Sequence, residues 1–308
     1  MNAASLNRDR LWAYLQMMRP ANIVTAWADI LVGFAASGSV IILNDVLTGA
    51  IAPLIPLAWL ILATTGLYGG GVVFNDVFDA QLDAKERPER PIPSGRASRQ
   101  SAIWLGSSLL SFGVVAAAQV SVLSAILAAA IAFAALFYDA FGKHNAFFGP
   151  INMGACRGGN LLLGISALPA MVGEYWFLAL IPIAYIAAIT AISRGEVHGG
   201  KATTGILALV LIGAVISSIL ALGLLPDYQV LATLPFIALF AARVLPPFIK
   251  AVREPTPDQI RTAVKAGVLS LIILDAIVAA GFAGLPYGLL VLSLLPISIK
   301  LAQIFAVT

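Results

Sequence analysis

The chain has 308 residues, of which 60% are hydrophobic and 11% charged, and its formal net charge is +3. This apolar share is far above that of a soluble domain, so we exclude a soluble globular protein. The single cysteine, Cys156, excludes an internal disulfide and a cysteine-based metal site.

Apolar segments follow one another along the whole chain, and each is long enough to cross a bilayer. We predict spans at 21–43, 51–75, 101–118, 120–138, 150–171, 176–192, 204–225, 229–249, 263–282 and 285–305. Almost nothing separates the third span from the fourth, and the last two can also form one span and a partial one. The fold class is therefore an all-α, polytopic transmembrane bundle of about nine to ten helices. It forms a single domain over 1–308, and the polar first 20 residues lead into a retained helix, not a signal peptide.

The basic residues predict how this bundle is oriented. Lysine and arginine precede the first span or follow even-numbered spans, whereas the opposite loops hold Asp45, Glu174 and Asp227 and no basic residue. Arg157 is the exception, inside the fifth span and away from these loops. The positive-inside rule then places the N-terminus and the charged loops in the cytoplasm, with the protein in the cell (inner) membrane. The net charge reflects this topology, so we predict no nucleic-acid partner.

An acidic triad follows the second span, in the segment 75–83. Asp76, Asp79 and Asp83 are spaced three and four residues apart, so they share one face of a helix. Three carboxylates on one face repel each other unless a cation lies among them. Oxygen ligands without a nearby His or Cys suit Mg²⁺.

The segment 87–95 places Arg87 and Arg90 beside this triad. Arginines next to Mg²⁺ ligands predict a diphosphate site, and in a membrane protein we expect the diphosphate to carry an apolar tail. The alternative is a solvated helix at the membrane surface whose acids and bases pair with each other. The three glycines at 69–71 favour the functional interpretation, because they destabilise a helix and need a reason such as close packing or a bend.

Two further even-numbered spans end in polar segments on the same side. The segment 138–145 contains Tyr138 and Lys143, and the segment 193–201 contains Arg194, Glu196 and His198. We expect these loops to converge with the triad over one central cavity. Interfacial tyrosines and cytoplasmic lysines are common, so these residue types alone leave a phosphate contact of Lys143 open.

Several ionisable residues lie within predicted spans, where they are costly. Arg157 is flanked by glycines and is followed by Asn160 on the same helix face. We interpret it as facing a cavity and binding substrate, with snorkelling to the interface as the alternative. Asp29 is a candidate contact for a polar substrate group, and Asp275 for a helix–helix contact.

The segment 75–95 carries a composite motif, Asn-Asp-x-x-Asp-x-x-x-Asp followed by Arg-x-x-Arg-Pro-x-Pro-Ser-Gly. With Arg19-Pro20-x-Asn22 and the Tyr138 and Lys143 pair, it resembles the UbiA superfamily of intramembrane prenyltransferases over essentially the whole chain. This resemblance implies about nine helices around a central, lipid-accessible cavity. It also implies Mg²⁺ as cofactor and transfer of a prenyl group from a prenyl diphosphate to a small, often aromatic acceptor.

The resemblance also implies roles for individual residues. Mg²⁺ and the diphosphate would be held by Asn75, Asp76, Asp79 and Asp83, and the phosphate oxygens would be bound by Arg87, Arg90 and Lys143. From residue type and position we add Arg157 and Tyr138 as diphosphate-binding candidates. Candidates on the acceptor side are Asn22, Asp29, Asn160 and His198.

The second motif of the family departs from its pattern in this chain. The family has Asp-x-x-x-Asp ahead of Gly-Lys-x-Thr, whereas here 200–203 fits but the preceding segment 192–198 keeps only Glu196 as a carboxylate. A second Mg²⁺ site is therefore open, and Arg194 is a candidate to neutralise diphosphate charge in its place. The catalytic candidates are Asp76, Asp79, Lys143, Arg194 and Glu196.

These motifs favour a prenyltransferase whose partners are a prenyl diphosphate, a small-molecule acceptor and membrane lipid. They indicate no protein partner. The alternatives are a non-catalytic carrier of an isoprenoid or lipid-linked metabolite, and a member that cyclises terpenes. A transporter is disfavoured, because the sequence shows no paired interrupted helices.

Overall fold

The computed structural model describes residues 3–42 and 54–305, and within these ranges the regular structure is helical with no strand. The α-helices are α1 (Ala3–Met18), α2 (Pro20–Ala36), α3 (Ile55–Glu86), α4 (Arg99–Ala118), α5 (Val122–Ala140), α6 (Phe148–Ile165), α7 (Ala170–Tyr175), α8 (Leu180–Ser193), α9 (Ala202–Ala221), α10 (Val230–Arg253), α11 (Pro257–Leu292) and α12 (Leu294–Ile304). Short 3₁₀ helices cover Ser39–Ile42, Gly142–His144, Trp176–Ala179 and Leu222–Leu224.

The predicted fold class is confirmed, since every predicted span contains at least one of these helices. Among the described residues, seven helical segments are long and apolar enough to cross a membrane, and Pro20–Ala36 is a shorter apolar helix. The last segment, Pro257–Ile304, joins α11 and α12 over 48 residues. The chain is therefore a multi-pass membrane protein. The single-domain prediction for 1–308 includes residues outside the described ranges and stays a prediction.

Three span boundaries differ from the prediction. The first helix ends at Ala36, because the backbone turns at Gly38 with φ 78°, and 43–53 lie outside the described residues. The fifth span, predicted over 150–171, is interrupted between α6 and α7, where the Ser166 hydroxyl donates to the Leu163 carbonyl at 2.6 Å. The ninth and tenth spans are divided within α11 by Gly284, whose φ of 81° and ψ of 169° are not helical.

Glycines permit the closest helix crossings. A Cβ atom on Gly164 of α6 would lie 2.6 Å from the carbonyl oxygen of Ile30 in α2, so these two helices need glycine to approach this closely. A Cβ on Gly70 would lie 2.8 Å from the Leu110 side chain of α4. Close packing is therefore the reason for Gly70 in the segment 69–71. The next residue, Gly71, lines a cavity.

Two apolar cores stand on either side of that cavity. The larger is built mainly from α2, α6 and α8 to α11 and contains the fully buried rings of Tyr185, Phe240 and Phe248. The smaller joins α3, α4, α5 and α6 around Leu60 and Leu67. Both cores contribute apolar side chains to the walls of the cavity.

Candidate functional site

The cavity measures about 440 Å³ and is enclosed by α2, α3, α5, α6, α8 and α11. Its body is apolar, with walls that include Leu67, Val72, Ile131, Ile186, Ile189, Val264 and Leu271. Its mouth is polar, formed by Arg19, Asn75, Asp79, Asp83, Glu86, Arg87, Arg90, Tyr138, Asp139, Ser193 and Glu196. The expected convergence of three loops over one cavity is therefore observed.

The acidic triad lies on α3, which continues about three turns beyond the predicted end of its span. Asn75, Asp79 and Asp83 line the cavity. Asp76 and Asp83 are each 5% exposed. The triad thus forms one continuous face at the mouth, as its spacing predicts, and it is not a fully solvated surface.

Each carboxylate of the triad is paired with a cation from another segment. Asp76 accepts from Arg19 at 3.0 Å, Asp83 from Arg90 at 2.8 Å, and Asp79 from Lys143 at 2.5 Å. The Arg90 guanidinium also lies 3.5 Å from Asp76. Three acids of α3 and three bases from three other segments therefore neutralise each other, and a bound ligand can enter by exchanging partners with them.

Two residues of the mouth were not proposed as site residues from the sequence. Arg19 lies between α1 and α2 with a left-handed backbone, φ 49°, next to Pro20 at the start of α2. Asp139 at the end of α5 accepts from the Asn75 amide at 2.8 Å. The available signals were the Arg19-Pro20 pair directly before the first span and the acid beside Tyr138.

The segment with the altered second motif divides into two parts. Glu196 lines the mouth near Arg87 and Arg261, and burial raises the pKa of its carboxyl group. Arg194 and His198 are exposed, and neither lines the cavity. Instead, Arg194 donates to the carbonyl oxygens of Lys143 at 3.2 Å and Asn145 at 2.5 Å. Arg194 thus holds the loop that carries Lys143, and its predicted contact with a diphosphate stays a prediction.

A second polar cluster lies inside the bundle, on the floor of the cavity. Arg157 is 4% exposed and pairs with Asp29 at 3.0 Å, while its guanidinium also donates to the Thr25 hydroxyl and carbonyl. Asn160 donates to Asp29 at 2.9 Å and accepts from Thr64 at 2.7 Å. Arg157 therefore turns inward to α2, and the snorkelling alternative is wrong.

The acceptor-side candidates do not all reach the cavity. Asn22 and Asn160 line it, and Asn22 hydrogen-bonds Tyr68. Asp29 is 0% exposed and accepts from Arg157 and Asn160, and its predicted contact with substrate stays a prediction. Asp275 of α11 is 4% exposed and lies beside Asp29, so it faces α2 as expected for a helix–helix contact.

The donor set of the mouth fits Mg²⁺. Asn75, Asp76, Asp79 and Asp83 offer oxygen atoms only, which are the ligands that Mg²⁺ prefers. As the side chains stand, no group of three or more His, Cys, Asp or Glu within 3–42 and 54–305 converges on one point. The carboxylates of the triad instead contact their basic partners. On ligand binding, a metal would take the place of the bases beside the carboxylates, and an anionic ligand would pair with the released bases.

The fold is that of a multi-pass membrane protein. Its apolar cavity and its mouth of carboxylates and cations suit a ligand with a charged group next to an apolar one. A family model described as the UbiA prenyltransferase family matches residues 30–272. The chain belongs to this family.

Curated relatives carry the name digeranylgeranylglyceryl phosphate synthase. The protein of Methanothrix thermoacetophila is 31% identical over 181 residues, covering 58% of this chain and 61% of the relative. That of Thermococcus gammatolerans is 34% identical over 159 residues, covering 51% and 54%. The matched part of the chain thus spans between about half and three fifths of these relatives' length.

Two solved structures share the fold. A structure described as digeranylgeranylglyceryl phosphate synthase in membranes has a TM-score of 0.65 and 19% identity, covering 89% of this chain and 98% of that one. The apo structure of a UbiA homologue from Aeropyrum pernix K1 has a TM-score of 0.61 and 17% identity, covering 81% and 96%. At these identities the likeness establishes the fold alone.

Proposed function

We propose that the chain is an integral-membrane, Mg²⁺-dependent prenyltransferase that transfers a prenyl group from a prenyl diphosphate to a small acceptor. The observation that carries this proposal is the mouth, where Asp79, Asp83 and Arg90 line the entrance of an apolar cavity. Asp76 and Lys143 form ion pairs with Arg90 and Asp79 beside that entrance. Such a site suits a molecule with a charged head and an apolar tail.

In this mechanism the acidic triad and Asn75 would hold Mg²⁺, which would supply positive charge to the departing diphosphate. Arg87, Arg90 and Lys143 donate hydrogen bonds to the phosphate oxygens, and Arg90 and Lys143 exchange their present carboxylate partners to do so. These cations stabilise the charge that develops on the leaving group as the carbon–oxygen bond breaks.

The apolar walls have a different task. The prenyl chain lies among side chains such as Leu67, Val72 and Ile189, which exclude water from the allylic cation until the acceptor captures it. The acceptor approaches from the floor, where Asn22, Asn160 and Arg157 line the cavity. The buried Arg157 Nε has no hydrogen-bond partner within the described residues, so it can donate to a polar group of the acceptor.

The name of the relatives supports one class of acceptor over another. Their name, digeranylgeranylglyceryl phosphate synthase, supports an acceptor built on glyceryl phosphate, and an aromatic acceptor is the second candidate. An enzyme that cyclises its prenyl chain would need no acceptor, and a carrier would bind without turnover.

A prenyl-transfer assay separates these alternatives. The purified chain is incubated with prenyl diphosphates of increasing length, each acceptor class and either Mg²⁺ or a chelator, and products are followed by mass spectrometry. We expect acceptor-dependent release of diphosphate that the chelator abolishes and that Asp79→Asn loses. Diphosphate release without an acceptor indicates cyclisation, and tight binding without release indicates a carrier.

For the orientation, we propose that the mouth faces the cytoplasm, because the described basic residues outside the spans gather on that side. Cysteine labelling of intact cells tests it with two single substitutions. We expect Glu89→Cys to resist an impermeant reagent and Asp227→Cys to react. If the reagent labels Glu89→Cys but not Asp227→Cys, the mouth faces the outside of the cell and the proposed orientation is wrong.

A further inference from the structure

A second pocket of about 440 Å³ lies away from the cavity, between the end of α1 and the start of α4. Three arginines converge on it, Arg10, Arg96 and Arg99. The rest of its lining is neutral and consists of Tyr14, Ile92, Gly95, Ala97, Ser98 and Ser101. We call it the basic pocket. It shares no lining residue with the cavity, so the proposed transfer reaction leaves it unexplained.

The positive charge of the basic pocket is not neutralised by the surrounding protein. Arg96 is fixed by hydrogen bonds to Gln16 at 2.7 Å, the Glu89 carbonyl at 2.6 Å and the Ser94 hydroxyl at 3.1 Å, which are all uncharged partners. Within the described part of the chain, Arg10 and Arg99 form no ion pair. Three like charges converging without a carboxylate repel each other, and an anion among them would relieve that repulsion.

The helix that begins at the pocket adds to its preference for anions. Arg99 is the first residue of α4, a helix of 20 residues, and Ser98 caps it by accepting from the Ser101 amide at 3.0 Å. The first backbone N–H groups of a helix have no partner within the helix, and the positive end of the helix dipole favours negative charge beside them.

Exposed tryptophans on both helices that line the basic pocket indicate a position near the lipid headgroups. Trp12 follows Arg10 by two residues and is 41% exposed, and Trp104 follows Arg99 by five residues and is 68% exposed. Tryptophans are enriched at the boundary between the acyl chains and the headgroups. Ile103, beside Trp104, is 40% exposed and gives an acyl chain an apolar surface directly below the pocket.

We propose that the basic pocket binds the phosphate headgroup of an anionic phospholipid. Arg10 and Arg99 contact the phosphate, fixed Arg96 supplies the third charge, and the acyl chains run along α4 past Trp104. A lipid headgroup explains both the charge and the exposed aromatic residues, whereas a soluble anion would explain only the charge.

Native mass spectrometry of the full chain in detergent tests this proposal. The probes are phosphatidylglycerol and phosphatidylcholine, titrated separately. We expect one phosphatidylglycerol to bind about tenfold more tightly than phosphatidylcholine. The double variant Arg10→Gln/Arg99→Gln should bring the two affinities to within about twofold. Arg96 is left in place because its hydrogen bonds hold the loop.

The matched control is Lys250→Gln/Arg253→Gln, which removes two exposed charges from the end of α10, away from both pockets. It should keep the preference for phosphatidylglycerol. An equal loss in both double variants would mean general surface attraction and would overturn the proposal. So would equal binding of the two lipids by the parent, or displacement of phosphatidylglycerol by millimolar inorganic phosphate, which would identify a site for a free anion. None of these outcomes depends on prenyl transfer.

Discussion

The mouth and the floor of the cavity both contain acids paired with bases, but their surroundings differ. At the mouth, the Lys143 and Asp79 side chains are 14% and 22% exposed. On the floor, the Arg157 and Asp29 side chains are 5% and 0% exposed. A pair that water reaches exchanges its partner for a ligand at low cost, whereas a fully buried pair that loses one member leaves an uncompensated charge. The mouth is therefore suited to binding, and the pair on the floor to holding α2 and α6 together.

Removing one member of the floor pair should give the largest effect on folding. Arg157→Met leaves the buried Asp29 carboxylate without its cation, so we expect the free energy of unfolding to fall by about 3–5 kcal/mol. The double variant Arg157→Met/Asp29→Leu should recover much of this loss. Denaturant or thermal unfolding in detergent measures both. A stable Arg157→Met protein would instead place Arg157 among the binding residues alone.

The mouth should respond in the opposite way. Asp79→Asn removes a negatively charged metal ligand, so we expect prenyl transfer to fall by about 100-fold or more. The melting temperature should change by only a few degrees, because a partly exposed ion pair contributes little to stability. Asp258→Asn, which breaks the exposed pair with Arg261, is the matched control and should leave the rate unchanged. If Asp79→Asn unfolds the protein, the contrast between the two clusters is wrong.

A comparison of Lys143 with Arg194 separates direct contact from positioning. Lys143→Gln removes a cation that reaches the diphosphate, and we expect about tenfold weaker binding of prenyl diphosphate. Arg194→Gln should weaken binding only a few-fold, because Arg194 acts through the Lys143 and Asn145 carbonyls. Isothermal titration measures both affinities.

The conservative variant sharpens this comparison. Lysine also donates to carbonyl oxygens, so Arg194→Lys should restore most of the affinity that Arg194→Gln loses. If Arg194 instead contacts phosphate with two parallel hydrogen bonds, Arg194→Lys will bind as weakly as Arg194→Gln.

The helices could be predicted from the sequence because long apolar segments in a bilayer permit few structures other than helices. The boundaries at Gly38 and Gly284 could not, since a positive φ at a glycine depends on the surrounding packing. The acidic triad could be predicted because its spacing within one helix is local. Arg19 was missed because its partner, Asp76, is 57 residues away, and no periodicity reports such a contact.

Arg194 and Asp29 are two further residues whose contacts could not be predicted from the sequence. Residue type and depth in the membrane indicate that a charge needs a partner, but they do not identify that partner. In the structure Arg194 donates to backbone carbonyl oxygens and Asp29 accepts from Arg157, and neither partner could be predicted from the sequence. Contacts within one helix follow from residue spacing, whereas contacts between helices do not.

The smallest effect is expected at Glu196, the remaining carboxylate of the altered motif. Burial raises the pKa of this carboxyl group, so it becomes ionised only as the pH rises through that raised value. If Glu196 is not a metal ligand, its negative charge will then oppose the diphosphate and compete for Arg87. Prenyl diphosphate binding by the parent should therefore weaken about twofold relative to Glu196→Gln as the pH rises.

If Glu196 holds a second Mg²⁺, the sign reverses. The ionised carboxylate would then strengthen binding as the pH rises, and Glu196→Gln would lose both that gain and one metal ion. The two cases are distinguished by measuring prenyl diphosphate binding at several Mg²⁺ concentrations and pH values, for the parent and the variant in parallel. The protonation of the diphosphate itself affects both proteins equally and so cancels in the comparison. In one outcome, binding weakens as the pH rises in the parent but not in Glu196→Gln, and both proteins need the same amount of Mg²⁺. That outcome would mean that Mg²⁺ is held by the α3 residues alone.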